Sequence, residues 1–369
     1  MHVLPKLQNL FEKIDHIAGK RRMNLARKKF ICLFVEGLIR CRDVQFPEVA
    51  AAMATDSRNS SNHRRIQDFF ANYELDYVQM ALLLYCLLPR WGKLVLSIDR
   101  TNWSYGQRDI NYLVITAYCQ GVGVPLWFGL LEDGKGGGNS NQAERMEVMR
   151  YCFRLFGRSR KLVLCGDREF IGDEWIGWLL DHGVDFFLRT RKNTRLTHQG
   201  EERAAWQWLG EADEVLMEDC LIGTHYLSVA IKQLPGAKAE EEYLIVMTNT
   251  FANRAIRVYR KRWSIEVFFQ SIKKRGFNLE NTHLTDGNRL RKLFALVSIA
   301  FAVCLKIGIY AHRHIKPIAT KNHGYKANSF FRHGLDRWRE ALKQGKHLIP
   351  FIRVLEQLWG PESNLKFSP

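Results

Sequence analysis

The chain has 369 residues, of which 46% are hydrophobic and 12% aromatic, so it can bury two or three domain-sized cores and is not a disordered polymer. Its formal net charge is +17, with a pI near 9.6. That balance points to a polyanionic partner, nucleic acid or an anionic membrane.

Residues 1–90 read as helical. Arg27 to Leu38 carries an apolar face, and Val49 to Met53 forms a short helix after Pro47. Asn59, Ser60 and Ser61 supply cap-type residues before a third segment, His63 to Phe70, which contains Arg64 and Arg65. A helix, a turn and a helix with basic residues near its start suit DNA binding, with an ordinary helical bundle and a solvated basic face as the plain alternative. The opening MHVLPKLQNLF lacks the long apolar core and cleavage site of a signal peptide.

From residue 93 the apolar period changes. Leu94 to Asp99 is a short strand ending in an acid, and Tyr112 to Cys119 and Val124 to Leu131 continue a meander. The glycine-rich run 134–140 lacks P-loop spacing and reads as a flexible loop. Gln142 to Phe156 follows as a helix, then Leu162 to Asp167 as a second strand ending in an acid. Asp173 to Leu180 reads as a helix and Phe186 to Thr190 as a strand. Residues 191–240 are polar and irregular, with one strand at Tyr226 to Lys232, and read as an insertion. Glu242 to Thr248 returns to core strand, and residues 286–360 read as helices with Asp286 and Asn288 near the first start. The order predicts a mixed α/β sheet with helices on its faces. The apolar stretch Leu293 to Tyr310 is interrupted by Lys306 and flanked by Arg291 and Lys292, so a core helix is expected there and not a membrane span. The eight cysteines form no CxxC pair and mostly sit in apolar runs, which predicts buried thiols in a reduced, cytosolic protein and no zinc or disulfide framework.

The chemistry concentrates in three places. A carboxylate following four or five apolar strand residues is costly to bury alone, and Asp99 and Asp167 are both of this kind. A hard cation would offset that cost, and oxygen-only ligands suit Mg²⁺. The third place is the run VYRKRWSIEVFFQSIKK. At about 100° per residue, Tyr259, Arg262, Glu266 and Lys273 fall at about 0°, −60°, −20° and −40°, one narrow helix face. Each alone has a bland reading: a turn acid, a packed phenol, a solvated cation. Together, a third acid with two cations and a phenol suit a site that handles a phosphate and a cation.

These residues resemble those of the DDE transposases of bacterial insertion sequences, specifically the insertion-sequence-four branch with its Y-x2-R-x3-E-x6-K signature. Tyr259, Arg262, Glu266 and Lys273 keep every spacing. SIDRTNW, with Asp99, Thr101 and Trp103, resembles the first acidic motif, and GDREF, with Asp167 and Phe170, the second. The likeness covers residues 94–285 and extends loosely to both ends.

The resemblance implies an RNase H-like mixed sheet with flanking helices, catalytic over 91–285 and interrupted by a β-rich insertion at 191–240. A helical DNA-binding region (1–90) and a helical C-terminal region (286–369) lie on either side. It implies Asp99, Asp167 and Glu266 as ligands of two Mg²⁺ ions, with Mn²⁺ able to substitute. Tyr259, Arg262 and Lys273 are implied to hold DNA phosphates, with Arg64 and Arg65 as further DNA contacts. The implied partners are double-stranded DNA, as terminal inverted repeats and as target, and a second copy in a paired-end complex. No membrane is implied, and the location is the bacterial cytoplasm, at the nucleoid. Trp206 and Trp208 in the insertion are candidates to stack a flipped base, against a packing role. The implied activity is cut-and-paste transposition. A nuclease without strand transfer and an inactive DNA-binding relic are the alternatives. The expected insertion, about fifty residues, is short for the branch.

Overall fold

The structure is a computed structural model, and it describes residues 11–12, 23–88, 94–106, 108–131, 140–156, 161–234, 236, 242–322 and 324–356. Most of the expected glycine-rich loop lies outside these residues.

Four helices open the described chain: α1 (Leu25–Cys41), α2 (Phe46–Ala52), α3 (Asn59–Asn72) and α4 (Tyr77–Leu87). Asn24 caps α1 by accepting from the Arg27 N–H, and Asp76 caps α4 through the Val78 and Gln79 amides. The α3 start differs from expectation. Asn59, Ser60 and Ser61 lie inside the helix, and Arg58 precedes it with no side-chain cap. The polar residue that matters is instead Asn62, buried and bonded to the Ala50 carbonyl and Thr55. α2 begins at Phe46 and places Pro47 in its first turn, where no amide donor is needed. Phe30 of α1 stacks on Phe69 of α3 at 4.3 Å, which ties this bundle together.

A ten-stranded sheet follows, in the order β3-β2-β1-β4-β5-β10-β9-β8-β6-β7. β1 (Leu94–Tyr105), β2 (Arg108–Cys119) and β3 (Val122–Leu130) form an antiparallel meander. β4 (Leu162–Gly166) and β5 (Asp185–Arg189) add parallel to β1. Helices α5 (Gln142–Phe156) and α6 (Asp173–Asp181) lie between them in sequence. β10 (Tyr243–Thr248) pairs antiparallel with β5. The outcome is the expected mixed α/β architecture.

Two expectations need correction. Asp99 does not end its strand. β1 runs six residues further because Arg100 to Tyr105 pair with Leu113 to Arg108 of β2. What ends near Asp99 is the parallel pairing with β4, whose last pair is Ile98 with Gly166. Residues 191–240 are more regular than their residue pattern alone suggested, and are β-rich as the family resemblance implied. β6 (Arg195–His198), β7 (Glu201–Ala204), β8 (Glu214–Ile222) and β9 (His225–Gln233) continue the same sheet beyond β10. β9 is the strand expected at Tyr226 to Lys232; β6, β7 and β8, shorter or more exposed, carry too little apolar alternation to be read as strands.

After β10 the backbone runs through α7 (Ala255–Tyr259), a 3₁₀ turn at Arg260–Arg262, α8 (Trp263–Gln270) and a π turn at Ser271–Arg275. The long helix α9 (Gly287–His314) is capped by Asp286, whose side chain accepts from the Arg289 amide. Its most apolar stretch is 94% buried inside the protein, against α1, α4 and β3 among others. It passes a membrane helix's length and composition test yet serves as the core's central rod. α10 (Phe330–Gln344) and α11 (Leu348–Glu356) pack on it. The eight cysteines lie outside any disulfide, and all but Cys41 are buried. Burial pushes the Cys32, Cys152 and Cys304 thiols up, as expected for inert core groups.

Candidate active site

The site lies where the parallel sheet runs out. Asp99 and Asp167 stand one register beyond the last β1–β4 pair, on strands about 4.8 Å apart. Gly166 makes the approach possible. A Cβ there would sit 2.9 Å from a Leu188 methyl and 3.0 Å from Phe170. Alternation along β1 places Asp99, Thr101 and Trp103 on one face. Thr101 and Trp103 are buried, and Trp103 stacks on Tyr112 at 5.8 Å.

The helical run across this face is not the single regular helix the spacing predicts. A 3₁₀ turn tightens it at 260–262 and a π turn widens it at 271–275, so the four signature residues take different depths. Arg262 is buried and points inward. Its Nη1 donates to Asp99 Oδ2 at 2.7 Å and lies 3.5 Å from Glu266 Oε1. Glu266 on α8 is more open than Asp99, with 34% of its side chain exposed against 16%. Tyr259 is buried behind Arg262. Its ring packs among Val95, Val163, Cys165 and Phe187, and the Arg262 guanidinium carbon lies 5.9 Å from the ring centroid. Lys273 reaches the other flank, donating to the Asn102 carbonyl at 2.6 Å and pairing with Glu280 at 3.1 Å, above the Trp103 ring.

The electrostatics bind these groups into one unit. Burial pushes the Asp99 carboxyl up; Arg262 opposes that, while Glu266 and Asp167 add to it. Asp99 therefore feels the other two acids, which stand on separate segments. Burial alone would lower the Arg262 pKa, but Tyr259, Asp99, Asp167 and Glu266 outweigh it, and the net shift is upward. Burial also raises Tyr259, to about 12, so its phenol stays protonated at neutral pH.

Among the described residues no three His, Cys, Asp or Glu side chains are gathered closely enough to hold a metal by themselves. What stands among the carboxylates is the Arg262 guanidinium. A cation drawn between Asp99 and Glu266 shows what the field here selects, and the donors are all oxygen. The set therefore fits a hard divalent ion.

Two residues outside the expected set support the acids. Arg100, next to Asp99, pairs through Nε with both oxygens of Glu169 at 2.6 and 2.7 Å. Glu169, two residues after Asp167, also accepts from the amide and hydroxyl of Ser140. Ser140 is held in turn by buried Arg145, which also donates to the Ile171 carbonyl. This chain of contacts clamps the β1 acid to the loop carrying the β4 acid. The available signal was an Asp-Arg step in both acidic motifs, with Glu169 following the second. Glu169→Gln should lower Mg²⁺-dependent DNA cleavage about tenfold and raise the Mg²⁺ concentration it needs, the usual scale for a group that orients metal ligands. A Mg²⁺ titration of cleavage checks this; an unchanged midpoint and rate would remove Glu169 from the site.

Of the other sequence candidates, Arg64 and Arg65 are exposed on α3, and no contact draws them to the acids. Trp206 and Trp208 sit in a 3₁₀ turn at Ala205–Leu209. Trp206 is 40% exposed near Tyr243, and Trp208 is half-buried with Arg203 over its ring at 4.9 Å.

A mixed sheet that brings two acids together where its parallel strands stop, faced by a helix bearing a third, defines a carboxylate site of the α/β class. A sequence model of the transposase DDE domain matches residues 90–303, more than half of the chain, and the protein belongs to that family. No curated protein sequence matches it. Among solved structures, the chain is similar to the cryo-EM structure of a piggyBac transposase synaptic complex with hairpin DNA. It has 11% sequence identity and a TM-score of 0.44 over 99% of this chain and 85% of that one.

Proposed function

We propose that the protein is a cut-and-paste transposase of the insertion-sequence-four branch. In this reading Asp99, Asp167 and Glu266 hold two Mg²⁺ ions, with Mn²⁺ as a substitute. When bound, such ions activate the attacking water or 3′-hydroxyl and stabilise the leaving 3′-oxygen. The observation that carries the reading is the Arg262 guanidinium bonded to Asp99 and adjacent to Glu266, on a chain of this family.

The protein's own residues then have separate tasks. Arg262 neutralises Asp99 in the free enzyme, and its planar fork matches a phosphate when the acids gain other cations. Tyr259 stiffens Arg262 from behind. Lys273 places a positive charge over Trp103 at the far side of Glu266, where a DNA backbone would run. We assign catalysis to 91–285, the 191–240 strands included, and recognition of terminal inverted repeats to the helical region 1–90 with Arg64 and Arg65. In the C-terminal region 286–369, the described residues 286–356 brace the core through α9. The working form is a dimer that pairs two element ends on DNA, acting at the nucleoid of a bacterial cytoplasm.

The experiment incubates the protein with linear DNA that carries the sequences flanking its coding region, a target plasmid and Mg²⁺. Cut ends joined to the plasmid support transposition. Cutting without joining, even from pre-cleaved ends, would leave a nuclease, and binding with no cutting in Mg²⁺ or Mn²⁺ a relic. Arg262→Gln should reduce joining and cleavage about a hundredfold, the scale of one electrostatic group that acts in the transition state. Wild-type rates in that variant would remove Arg262 from the reaction.

A further inference from the structure

We propose a second phosphate-binding surface, built by Arg42, Arg332 and Arg339, that takes the backbone of duplex DNA leaving the catalytic groove. It extends the transposase reading and rests on it.

Arg42 closes α1 in a left-handed conformation, φ 62°, and sends its side chain across to the π turn. There its Nη2 donates to the Arg275 carbonyl at 3.3 Å. Arg332 and Arg339 are seven residues apart on α10 and so share a face. Gly276 and Phe277 fix that helix to the end of the turn, with Phe277 5.7 Å from Phe331, so α10 begins beside Arg275.

Among the described residues, the carboxylate that opposes the charge of Arg42 here is Asp336. Asp336 lies between Arg332 and Arg339 on the helix and accepts from Arg332 Nε at 2.8 Å. Burial and then the charges of Arg332 and Arg339 lower the Arg42 pKa, opposed only by Asp336. The Nε atoms of Arg42 and Arg339 are both buried without a hydrogen-bond partner. Buried donors left open within a like-charged cluster carry a cost that a folded chain normally avoids. An oxyanion offsets the repulsion and fills the donors, and arginine forks match phosphate bidentately.

Position selects DNA as the source of that phosphate. A cavity of about 420 Å³ beside Glu266 is lined by Arg100, Lys273, Lys274 and Arg275 against two acids, Glu266 and Glu280. Arg275 is also the residue Arg42 grips. One basic track therefore runs from the catalytic acid, along the turn, to the arginine cluster. A peptide carboxylate or a second copy of the chain has no such continuity with the groove.

The test measures the binding of a labelled linear duplex of arbitrary sequence across a series of NaCl concentrations, using the full chain. Arg42→Gln with Arg339→Gln should weaken binding about tenfold at moderate salt. The log–log salt slope should become shallower by about two, one for each lost phosphate contact. Arg42→Lys with Arg339→Lys should retain most of the slope, since charge is kept. Unfolding midpoints confirm that the variants fold. If the wild type binds and the Gln variant keeps its affinity and slope, this surface is refuted while the transposase reading stands. A variant that changes sedimentation but not the slope also refutes it, in favour of a surface between copies. A wild type that shows no salt-dependent binding refutes the transposase reading itself.

Discussion

Asp99→Asn, Asp167→Asn and Glu266→Gln each lower Mg²⁺-dependent DNA cleavage by about a thousandfold or more, while duplex binding stays within a few-fold of the wild type. The size follows from the role. A group that holds the charge stabilising the transition state costs about two to three powers of ten when removed, and a metal ligand also forfeits occupancy. The first two replacements differ in their effect on the resting protein. Asp99 neutralises buried Arg262 at 2.7 Å, so its loss leaves an arginine without its closest countercharge. Breaking one partner of such a buried pair costs about 3–5 kcal/mol. Among the described residues Asp167 has no ion pair of this kind; its Oδ1 accepts from the Arg168 amide, as an ordinary turn residue would. Asp167→Asn should therefore be inactive but nearly as stable as the wild type, and Asp99→Asn both inactive and unstable. Urea unfolding followed beside a cleavage assay separates the two. Equal stability loss in both would show that Arg262 does not depend on Asp99.

The second large effect falls far from the acids. Gly308 of α9 and Gly334 of α10 meet where the two helices cross. A Cβ at Gly308 would lie 1.8 Å from the Phe330 carbonyl oxygen, and one at Gly334 1.8 Å from that of Cys304. Both obstacles are backbone, which cannot rotate away. The helices must separate by more than an ångström, and the neighbouring Phe301–Phe331 stack at 4.8 Å opens with them. Alanine gains about 1 kcal/mol over glycine in helix propensity, but overpacking costs about 3 kcal/mol or more. Gly308→Ala and Gly334→Ala should each destabilise by a net ~2 kcal/mol or more in urea unfolding. Wild-type stability in either would mean that the crossing is looser than described.

Much of the site was legible because its acids interrupt apolar strands. Val95 to Ile98 and Leu162 to Cys165 are apolar enough to lead into the sheet, which carries Asp99 and Asp167 to the point where its parallel pairing ends. The direction in which Arg262 points was not legible. An i, i+4 step to Glu266 is compatible with an exposed pair, and only the tertiary approach of β1 turns Arg262 inward. Nor did the run 255–275 announce its 3₁₀ and π turns, since Lys273, Lys274 and Arg275 suit any helical backbone. The strands from Arg195 to Ala204 escaped notice because an exposed hairpin needs little apolar pattern. Gly308 sits in a run apolar enough to hide it, and its need becomes visible only once Gly334 lies opposite.

The central claim, that Asp99, Asp167 and Glu266 surround one metal locus, is tested most directly by metal-directed scission of the chain. Fe²⁺ with ascorbate and peroxide is bound in place of Mg²⁺, and the fragments are mapped by mass spectrometry. Cuts should cluster at the segments around residues 99, 167 and 266, be suppressed together by excess Mg²⁺, and be absent in Glu266→Gln. Cuts elsewhere, or cuts at these segments that Mg²⁺ does not suppress, would contradict the claim.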